Sequence, residues 1–252
     1  MSQVQAFSDT LFFSESFGIR AHPVPLESDL WNLDAFLSEA TGGETGLVYL
    51  ASPNNPTGTG FTHSQVDSFL RALPPDITVV LDLAYAEFGT DPDAPRMVDL
   101  VREFANLIAC RTFSKAYGLA ALRLGYALAQ PQRIAAMKKL RTPFAANGPA
   151  LAAAEAALAD DDHLRRSVAL AQDGVRWWTE KLRGLGLTVT PSRANFVLVR
   201  LGRDAKPVYE ALLDRGIIVR HLGAFGLPDA LRITAGTAGQ NERAFSALAE
   251  VL

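Results

Sequence analysis

Apolar segments that alternate with helical patterns constrain the fold of this chain more than any other feature. Three of them, GLVYLA (46–51), ITVVLDLAY (77–85) and NLIACRTF (106–113), consist largely of Val, Ile, Leu and Ala. Such runs, in which polar residues do not alternate with apolar ones, are typical of strands covered on both faces. Because segments of helical periodicity lie between these strands, the pattern predicts an α/β fold built on a mostly parallel sheet.

The connections between the strands indicate how the strands are arranged. THSQVDSFLRALPP (62–75) and RMVDLVREF (96–104) place apolar residues at helical spacing, as expected for crossover helices between parallel strands. The segment LGYALA (124–129) is a further strand candidate, but the link from 106–113 is too short for a helical crossover. We therefore expect these last two strands to pair in antiparallel fashion.

Composition changes in the second half of the chain. An Ala-rich segment of helical pattern is followed by shorter strand candidates such as NFVLVR (195–200) and LRIT (231–234), which are separated by helical segments. We therefore expect two domains, a large sheet domain over residues 1–149 and a smaller C-terminal α+β domain over residues 150–252.

Charge and cysteine content exclude several classes of protein. The 252 residues carry a formal net charge of −3, which provides no basic surface for nucleic acid. A single cysteine, Cys110, excludes a disulfide within the chain and a zinc site built from cysteines. The N-terminus lacks the pattern of a signal peptide, and no apolar run approaches the ~18 residues that a membrane span needs. We expect a soluble, cytoplasmic protein that binds neither nucleic acid nor membranes.

Four chemically useful groups come at or just after the ends of the three apolar strands. Asn55 follows the first strand, Asp82 and Tyr85 end the second, and Lys115 follows the third. Each residue alone is equally typical of a turn, a helix cap or an exposed surface. Ligands of doubly wound sheets, however, bind beyond the carboxyl ends of the strands. The coincidence of an amide, a carboxylate, a phenol and an amine there favours a binding site.

These groups are the ones that pyridoxal phosphate requires. A lysine in apolar surroundings is expected to lose its proton, and a neutral amine forms a Schiff base with an aldehyde. A carboxylate can keep a pyridine nitrogen protonated, while a phenol and an amide can hydrogen-bond a ring oxygen. Arg123, eight residues past Lys115, can neutralise a phosphate together with the hydroxyls of Thr112 and Ser114.

Five motifs extend this pattern over nearly the whole chain, from about residue 7 to residue 252. They are SPNNPTGT (52–59), LDLAYAEF (81–88), RTFSKAYGLAALRLGYAL (111–128), SRANFVLVR (192–200) and LRITAGT (231–237). In this order they resemble the motifs of the class I/II aminotransferases, which are pyridoxal-phosphate-dependent enzymes of fold type I. The resemblance is strongest to the histidinol-phosphate aminotransferase branch, and it implies a homodimer whose small-molecule substrates are amino acids and oxo acids.

The resemblance implies a role for each cofactor-binding residue. Lys115 would be the Schiff-base lysine and the proton carrier, and Asp82 would pair with the pyridine nitrogen. Asn55 and Tyr85 would bind the hydroxyl oxygen of the ring. The residues implied to contact the cofactor phosphate are Thr112, Ser114 and Arg123.

Three further residues are implied by the resemblance. Arg232 would hold the substrate carboxylate in a two-pronged pair, and Arg220 would lie near the distal end of the substrate. Phe7 matches the aromatic residue that stacks on the cofactor ring. No metal ion is implied.

The chain also departs from the family pattern. We expect the family's N-terminal part to be absent, including the turn whose backbone amides hold the cofactor phosphate at a helix N-terminus. Losing two charge-assisted hydrogen bonds would weaken cofactor binding by about 3–6 kcal/mol. Leu83 stands where the histidinol-phosphate branch usually has an acidic residue, and Phe144 replaces a phenol.

Three functions remain open on this basis. The first is a transaminase that moves an amino group between an amino acid or amino-alcohol phosphate and a 2-oxo acid. The second is a lyase of the phosphothreonine decarboxylase type, in which the same lysine and ring carboxylate serve but the carboxylate leaves. The third is a truncated homologue with weak activity or none.

Overall fold

The computed structural model describes residues 16–252 and divides them into two units; Phe7 lies outside this range. The parallel-sheet unit consists of Leu33–Ser52 and Phe61–Val168. The antiparallel-sheet unit consists of residues 16–32, Pro53–Gly60 and Ala169–Leu252. No helix in the described range is both long and apolar enough to cross a membrane.

The parallel-sheet unit contains a four-stranded sheet in the order β1-β2-β3-β4. Strands β1 (Leu47–Ala51), β2 (Thr78–Asp82) and β3 (Leu107–Thr112) run parallel, and β4 (Gly125–Ala129) is antiparallel to β3. This arrangement confirms the predicted mostly parallel α/β sheet and its antiparallel last pair. The carboxyl ends of the three parallel strands therefore meet at one edge.

Helix α2 (His63–Ala72) begins where the sequence contains a helix-capping signal. Helix α2 opens with a capping box, in which the Thr62 hydroxyl accepts from the Gln65 backbone N–H and the Gln65 side chain accepts from the Thr62 N–H. The helices of this unit are α1 (Leu33–Ala40), α2 (His63–Ala72), α3 (Met97–Glu103), α4 (Pro131–Leu140), α5 (Gly148–Ala159) and the first part of α6 (Asp161–Gly184).

The two faces of the parallel sheet differ in burial. Val79 and Leu81 on one face of β2 are fully buried, whereas Val80 and Asp82 on the other face are half-buried. This alternation differs from the prediction of strands covered on both faces. At β2, the described residues cover one face fully and the second only in part, so polar groups on the second face remain accessible.

Three polar side chains share the half-buried face at the carboxyl end of the sheet. The three are Asp82, Cys110 and Tyr49. In the strand register, Asp82 lies between Ala51 and Cys110, and Tyr49 is two residues before Ala51 on β1. Residues opposite one another, or two apart along a strand, point to the same face. Burial, and secondarily the negative charge of Asp82, raises the pKa of the Cys110 thiol to about 11.

The antiparallel-sheet unit is an α+β arrangement, as predicted for the C-terminal part. Its sheet has the order β5-β6-β8-β7 and is antiparallel throughout. Trp178 and Leu182 of α6 pack into the core with Val197, Leu212 and Leu231. The elements are β5 (Thr188–Thr190), β6 (Phe196–Arg200), α7 (Lys206–Asp214), β7 (Arg220–His221), β8 (Ala230–Thr234) and α8 (Ala238–Val251).

A buried carboxylate joins residues 16–32 to this unit. Asp29 accepts hydrogen bonds from the Thr190 hydroxyl at 2.8 Å and from Arg200 Nη2 at 2.5 Å. The same contact with Asp29 raises the pKa of the Arg200 guanidinium. The backbone carbonyl of Asp29 also accepts from the hydroxyl of Thr59, in the loop 53–60. Asp29 therefore holds this loop against strands β5 and β6.

We expect Cys110 to react slowly with alkylating reagents. A thiol pKa of about 11 lowers the thiolate fraction at pH 8, so iodoacetamide should modify Cys110 about a hundredfold more slowly than an ordinary cysteine. Asp82→Asn removes the adjacent negative charge and should accelerate the reaction, whereas Asp99→Asn on the exposed side of α3 should not. Equal rates in the wild type and Asp82→Asn would contradict the register that places these two residues together.

Candidate active site

The carboxylate of Asp82, the last residue of β2, is held at both oxygens. The phenol of Tyr49 donates to Oδ2 at 2.6 Å, and the backbone N–H of Ala84 donates to Oδ1 at 2.9 Å. A carboxylate oxygen has two lone-pair directions, so each oxygen retains capacity for one more donor. The group is thus fixed in orientation and able to accept a further N–H.

Tyr85 and Lys115 lie together in the parallel-sheet unit. Tyr85 is buried at the start of the short 3₁₀ helix Ala86–Phe88, and the Nζ atom of Lys115 lies 5.0 Å from the centroid of its ring. A lysine ammonium over an aromatic face makes a cation–π contact. Because Tyr85 follows Asp82 by three residues, this contact connects the turn after β2 with the turn after β3.

The environment of Lys115 differs from the one that its sequence neighbours predict. The apolar residues around it suggested an apolar setting, but the side chain is exposed in the described structure. The flanking residues Phe113 and Ala116 occupy the buried positions of this turn. Lys115 is consequently turned outward, where a ligand can reach its amine.

The turn after β3 also contains side chains that are suited to binding an anion. The Thr112 hydroxyl accepts from the Ser114 N–H at 3.1 Å and is 3.4 Å from the Leu124 carbonyl, so it holds the turn together. Arg123 is exposed and has left-handed backbone angles (φ 53°, ψ 46°), and its Nη1 donates to the Ala120 carbonyl at 2.8 Å. The hydroxyl of Ser114 and the guanidinium of Arg123 are the groups of this turn suited to an anion.

Glu87 gives the same region a buried charge pair. Its side chain is 6% exposed and accepts from Arg111 Nε at 3.3 Å. Burial raises the pKa of the Glu87 carboxyl, and the positive charge of Arg111 acts in the opposite direction. The pair lies beyond the motif residues Asp82 and Tyr85, and it fixes the end of the LDLAYAEF segment against strand β3.

The SPNNPTGT loop belongs to the antiparallel-sheet unit from Pro53 onward. Fully buried Asn54 closes it, donating from Nδ2 to the Thr57 hydroxyl at 3.0 Å and accepting the Gly58 N–H on its backbone carbonyl at 2.8 Å. Gly58 has φ +77°, and a Cβ atom there would be 2.2 Å from Ser192 Oγ, so only glycine fits. The closed loop presents Asn55, whose peptide bond to Pro56 is cis.

Asn55 and Arg232 are brought together in this unit. Arg232 on β8 donates from Nη1 to Asn55 Oδ1, and its guanidinium lies 5.0 Å above the ring of Phe196. Arg220 on β7 is the direct register partner of Arg232, and its guanidinium is 5.9 Å from the ring of Phe225. Two arginines therefore share one face of the sheet, each against an aromatic ring.

Tyr49 is a site residue that the sequence analysis missed. It is a phenol in an otherwise apolar strand, and a phenol in such a position usually needs a hydrogen-bond partner. That signal alone does not identify the partner. Leu83 and Phe144, at which we expected departures from the family pattern, differ in burial, since Leu83 is fully buried and Phe144 is 99% exposed.

The chain is similar in sequence to known aminotransferases. The family model for aminotransferase class I and II matches residues 16–248. Histidinol-phosphate aminotransferase 2 from Pseudomonas fluorescens is 43% identical over 247 residues, which are 98% of this chain and 66% of that protein. The chain therefore spans about two-thirds of the length of this curated relative.

Solved structures agree with the sequence matches. The histidinol-phosphate aminotransferase from Sinorhizobium meliloti, in complex with pyridoxal-5'-phosphate, superposes with a TM-score of 0.93 at 33% identity, over 99% of this chain and 69% of that one. The L-threonine-O-3-phosphate decarboxylase from Porphyromonas gingivalis gives a TM-score of 0.83 at 27% identity, over 98% and 74%. Because the family model matches nearly the whole chain, the chain belongs to the aminotransferase class I and II family.

Proposed function

We propose that this chain is a pyridoxal-phosphate-dependent aminotransferase of the histidinol-phosphate type. The observation that carries the proposal is the cluster of Asp82, Tyr85 and Lys115 at the carboxyl edge of the parallel sheet. The names of the relatives, and the pyridoxal phosphate bound to one of them, support it. The reaction would move an amino group from an amino acid or amino-alcohol phosphate to a 2-oxo acid.

The groups in the parallel-sheet unit fit pyridoxal phosphate. Asp82 has one donor on each oxygen and can accept the ring N–H as a third. The exposed amine of Lys115 is accessible to the aldehyde, and the phenol of Tyr85 would donate to the ring hydroxyl oxygen. Ser114 and Arg123 would hold the phosphate, with Thr112 keeping their turn in shape. When bound, the cofactor withdraws electrons from the carbon that bears the amino group.

Lys115 and Asp82 would each interact with a different proton, Lys115 with that of the substrate carbon and Asp82 with that of the ring nitrogen. The Nζ atom of Lys115 would accept the proton from the amino-bearing carbon of the substrate, as a general base. The face of the Tyr85 ring, 5.0 Å from Nζ, favours the ammonium that results. The carboxylate of Asp82 would hold the proton on the ring nitrogen, which preserves the electron sink.

The substrate class follows from the paired arginines of the antiparallel-sheet unit. Arg220 and Arg232 are directly opposite in the β7–β8 register, and like charges at such positions repel each other. An anion on each guanidinium relieves this repulsion. We therefore assign the carboxylate of an amino or oxo acid to Arg232 and a distal anionic group, such as the phosphate of an amino-alcohol phosphate, to Arg220.

Exposed apolar side chains in the parallel-sheet unit support assembly as a homodimer. Leu140 is 88% exposed and Phe144 is 99% exposed, in the segment between α4 and α5. Large apolar side chains at such exposure are typical of interaction surfaces. A second copy of the chain would cover them, and we propose that this dimer is cytoplasmic.

Decarboxylation is a second candidate function. The likeness to the L-threonine-O-3-phosphate decarboxylase favours it, because the same lysine and ring carboxylate would serve both reactions. The products distinguish the two. Transamination converts the cofactor to its pyridoxamine form, whereas decarboxylation releases carbon dioxide and leaves the cofactor as the aldehyde.

Lys115→Ala should abolish the violet absorbance of bound pyridoxal phosphate. The wild-type chain, mixed with the cofactor and freed of excess, should show the band, because the amine of Lys115 is the group that reacts with the aldehyde. Lys138→Ala, which removes an exposed lysine from α4, should keep it. A band of equal intensity in Lys115→Ala would contradict the assignment.

Arg232→Ala should impair substrate binding and leave the cofactor in place. Loss of a two-pronged contact, at about 3 kcal/mol, lowers kcat/KM for amino donors with an α-carboxylate about a hundredfold. The matched control is Arg203→Ala, which removes an arginine that binds the Leu252 carbonyl in the same unit. Loss of the absorbance band in Arg232→Ala would show that this arginine maintains the structure rather than the substrate contact.

A further inference from the structure

We propose that Tyr49 is a positioning residue that fixes the Asp82 carboxylate for the ring nitrogen of the cofactor. The inference rests on the proposed function and adds to it a residue that lies outside the five sequence motifs. Tyr49 is in β1, before the SPNNPTGT motif begins, and its phenol donates to Asp82 Oδ2 at 2.6 Å.

The strand register places Tyr49 beside Asp82. In the parallel pairing of β1 with β2, Tyr49 is opposite Val80 and Ala51 is opposite Asp82. Tyr49 and Asp82 are therefore diagonal neighbours on the half-buried face, within reach for a long aromatic side chain. A phenol–carboxylate distance of 2.6 Å is typical of a charge-assisted hydrogen bond.

The hydrogen bond from Tyr49 restricts rotation of the Asp82 carboxylate, which the single backbone donor of Ala84 cannot do alone. The χ2 angle of an aspartate has a broad, two-fold distribution. A single hydrogen-bond donor therefore leaves the carboxylate plane free to rotate. Ala84 N–H restrains Oδ1, and Tyr49 restrains Oδ2, so the plane is fixed at two points. Each oxygen keeps a lone pair, and a ring N–H can use it without displacing either donor.

The opposite flank of Asp82 does not provide an equivalent restraint. Cys110 is the register partner of Asp82 on β3, and its thiol retains its proton at neutral pH. A thiol is only a weak donor. The strong restraint from a neighbouring strand thus comes from β1, through Tyr49.

The test measures the dissociation constant of pyridoxal phosphate by equilibrium dialysis. Tyr49→Phe keeps the ring and removes the hydroxyl, and it should raise the dissociation constant about tenfold, because Asp82 then meets the ring nitrogen without a fixed plane. Tyr126→Phe removes a hydroxyl from β4 on the other face of the same sheet and should leave the constant unchanged. The thermal midpoints of the cofactor-free proteins should agree within a few degrees.

A double-mutant cycle separates positioning from a structural role. If Tyr49 acts through Asp82, Tyr49→Phe in an Asp82→Ala background should change the dissociation constant less than about twofold. The dialysis extends to millimolar pyridoxal phosphate, so that the weakened binding through Lys115 and the phosphate groups is still measured. An equal loss in both backgrounds would assign Tyr49 to the structure of the sheet and overturn the inference.

The remaining outcomes distinguish this inference from the proposed function. A wild-type chain that binds pyridoxal phosphate through Lys115, together with a Tyr49→Phe chain that binds it equally well, overturns the inference and leaves the proposed function intact. A wild-type chain that takes up no pyridoxal phosphate overturns both.

Discussion

The proposed site depends on a carboxylate, Asp82, held in one orientation at the end of a parallel strand. Asp82 accepts one hydrogen bond on each oxygen, from the neighbouring strand β1 and from its own turn. A buried or half-buried carboxylate with incomplete partners would cost several kcal/mol. The two donors stabilise the charge and leave the lone pairs that a protonated ring nitrogen needs. The roles proposed for Lys115 and Tyr85 depend on this acceptor, which ends the strand that precedes the Tyr85 turn.

Each unit contains its own set of groups suited to the proposed chemistry. The parallel-sheet unit provides the amine, the carboxylate and an anion-binding turn, all of which follow the ends of strands. The antiparallel-sheet unit provides Asn55 and two arginines that are each stacked on an aromatic ring. The direct register pairing of Arg220 and Arg232 supports the proposal of a substrate with two anionic groups. Leu83 and Phe144, where the sequence analysis expected departures from the histidinol-phosphate branch, are buried and exposed respectively.

Much of the fold could be predicted from the sequence, because unbroken apolar runs and short links constrain strands and their direction. The contact between Asn55 and Arg232, 177 residues apart, was not predicted, since sequence spacing carries no information on such contacts. Lys115 was expected in apolar surroundings and is exposed, because the sequence does not show which residues of a turn point inward. Tyr49 was missed because its partner is set by the strand register. The burial of Val79 and Leu81 was predicted correctly, but the accessibility of Val80 and Asp82 on the other face of β2 was not.

Borohydride reduction tests the central claim most directly, because it converts the link between pyridoxal phosphate and a protein amine into a stable bond. The protein is incubated with the cofactor, reduced and digested, and its peptides are analysed by mass spectrometry. The account predicts one modified peptide, with the cofactor on Lys115, and a marked loss of that label in Asp82→Ala. A label on a different lysine, or equal labelling of several exposed lysines, would contradict the account.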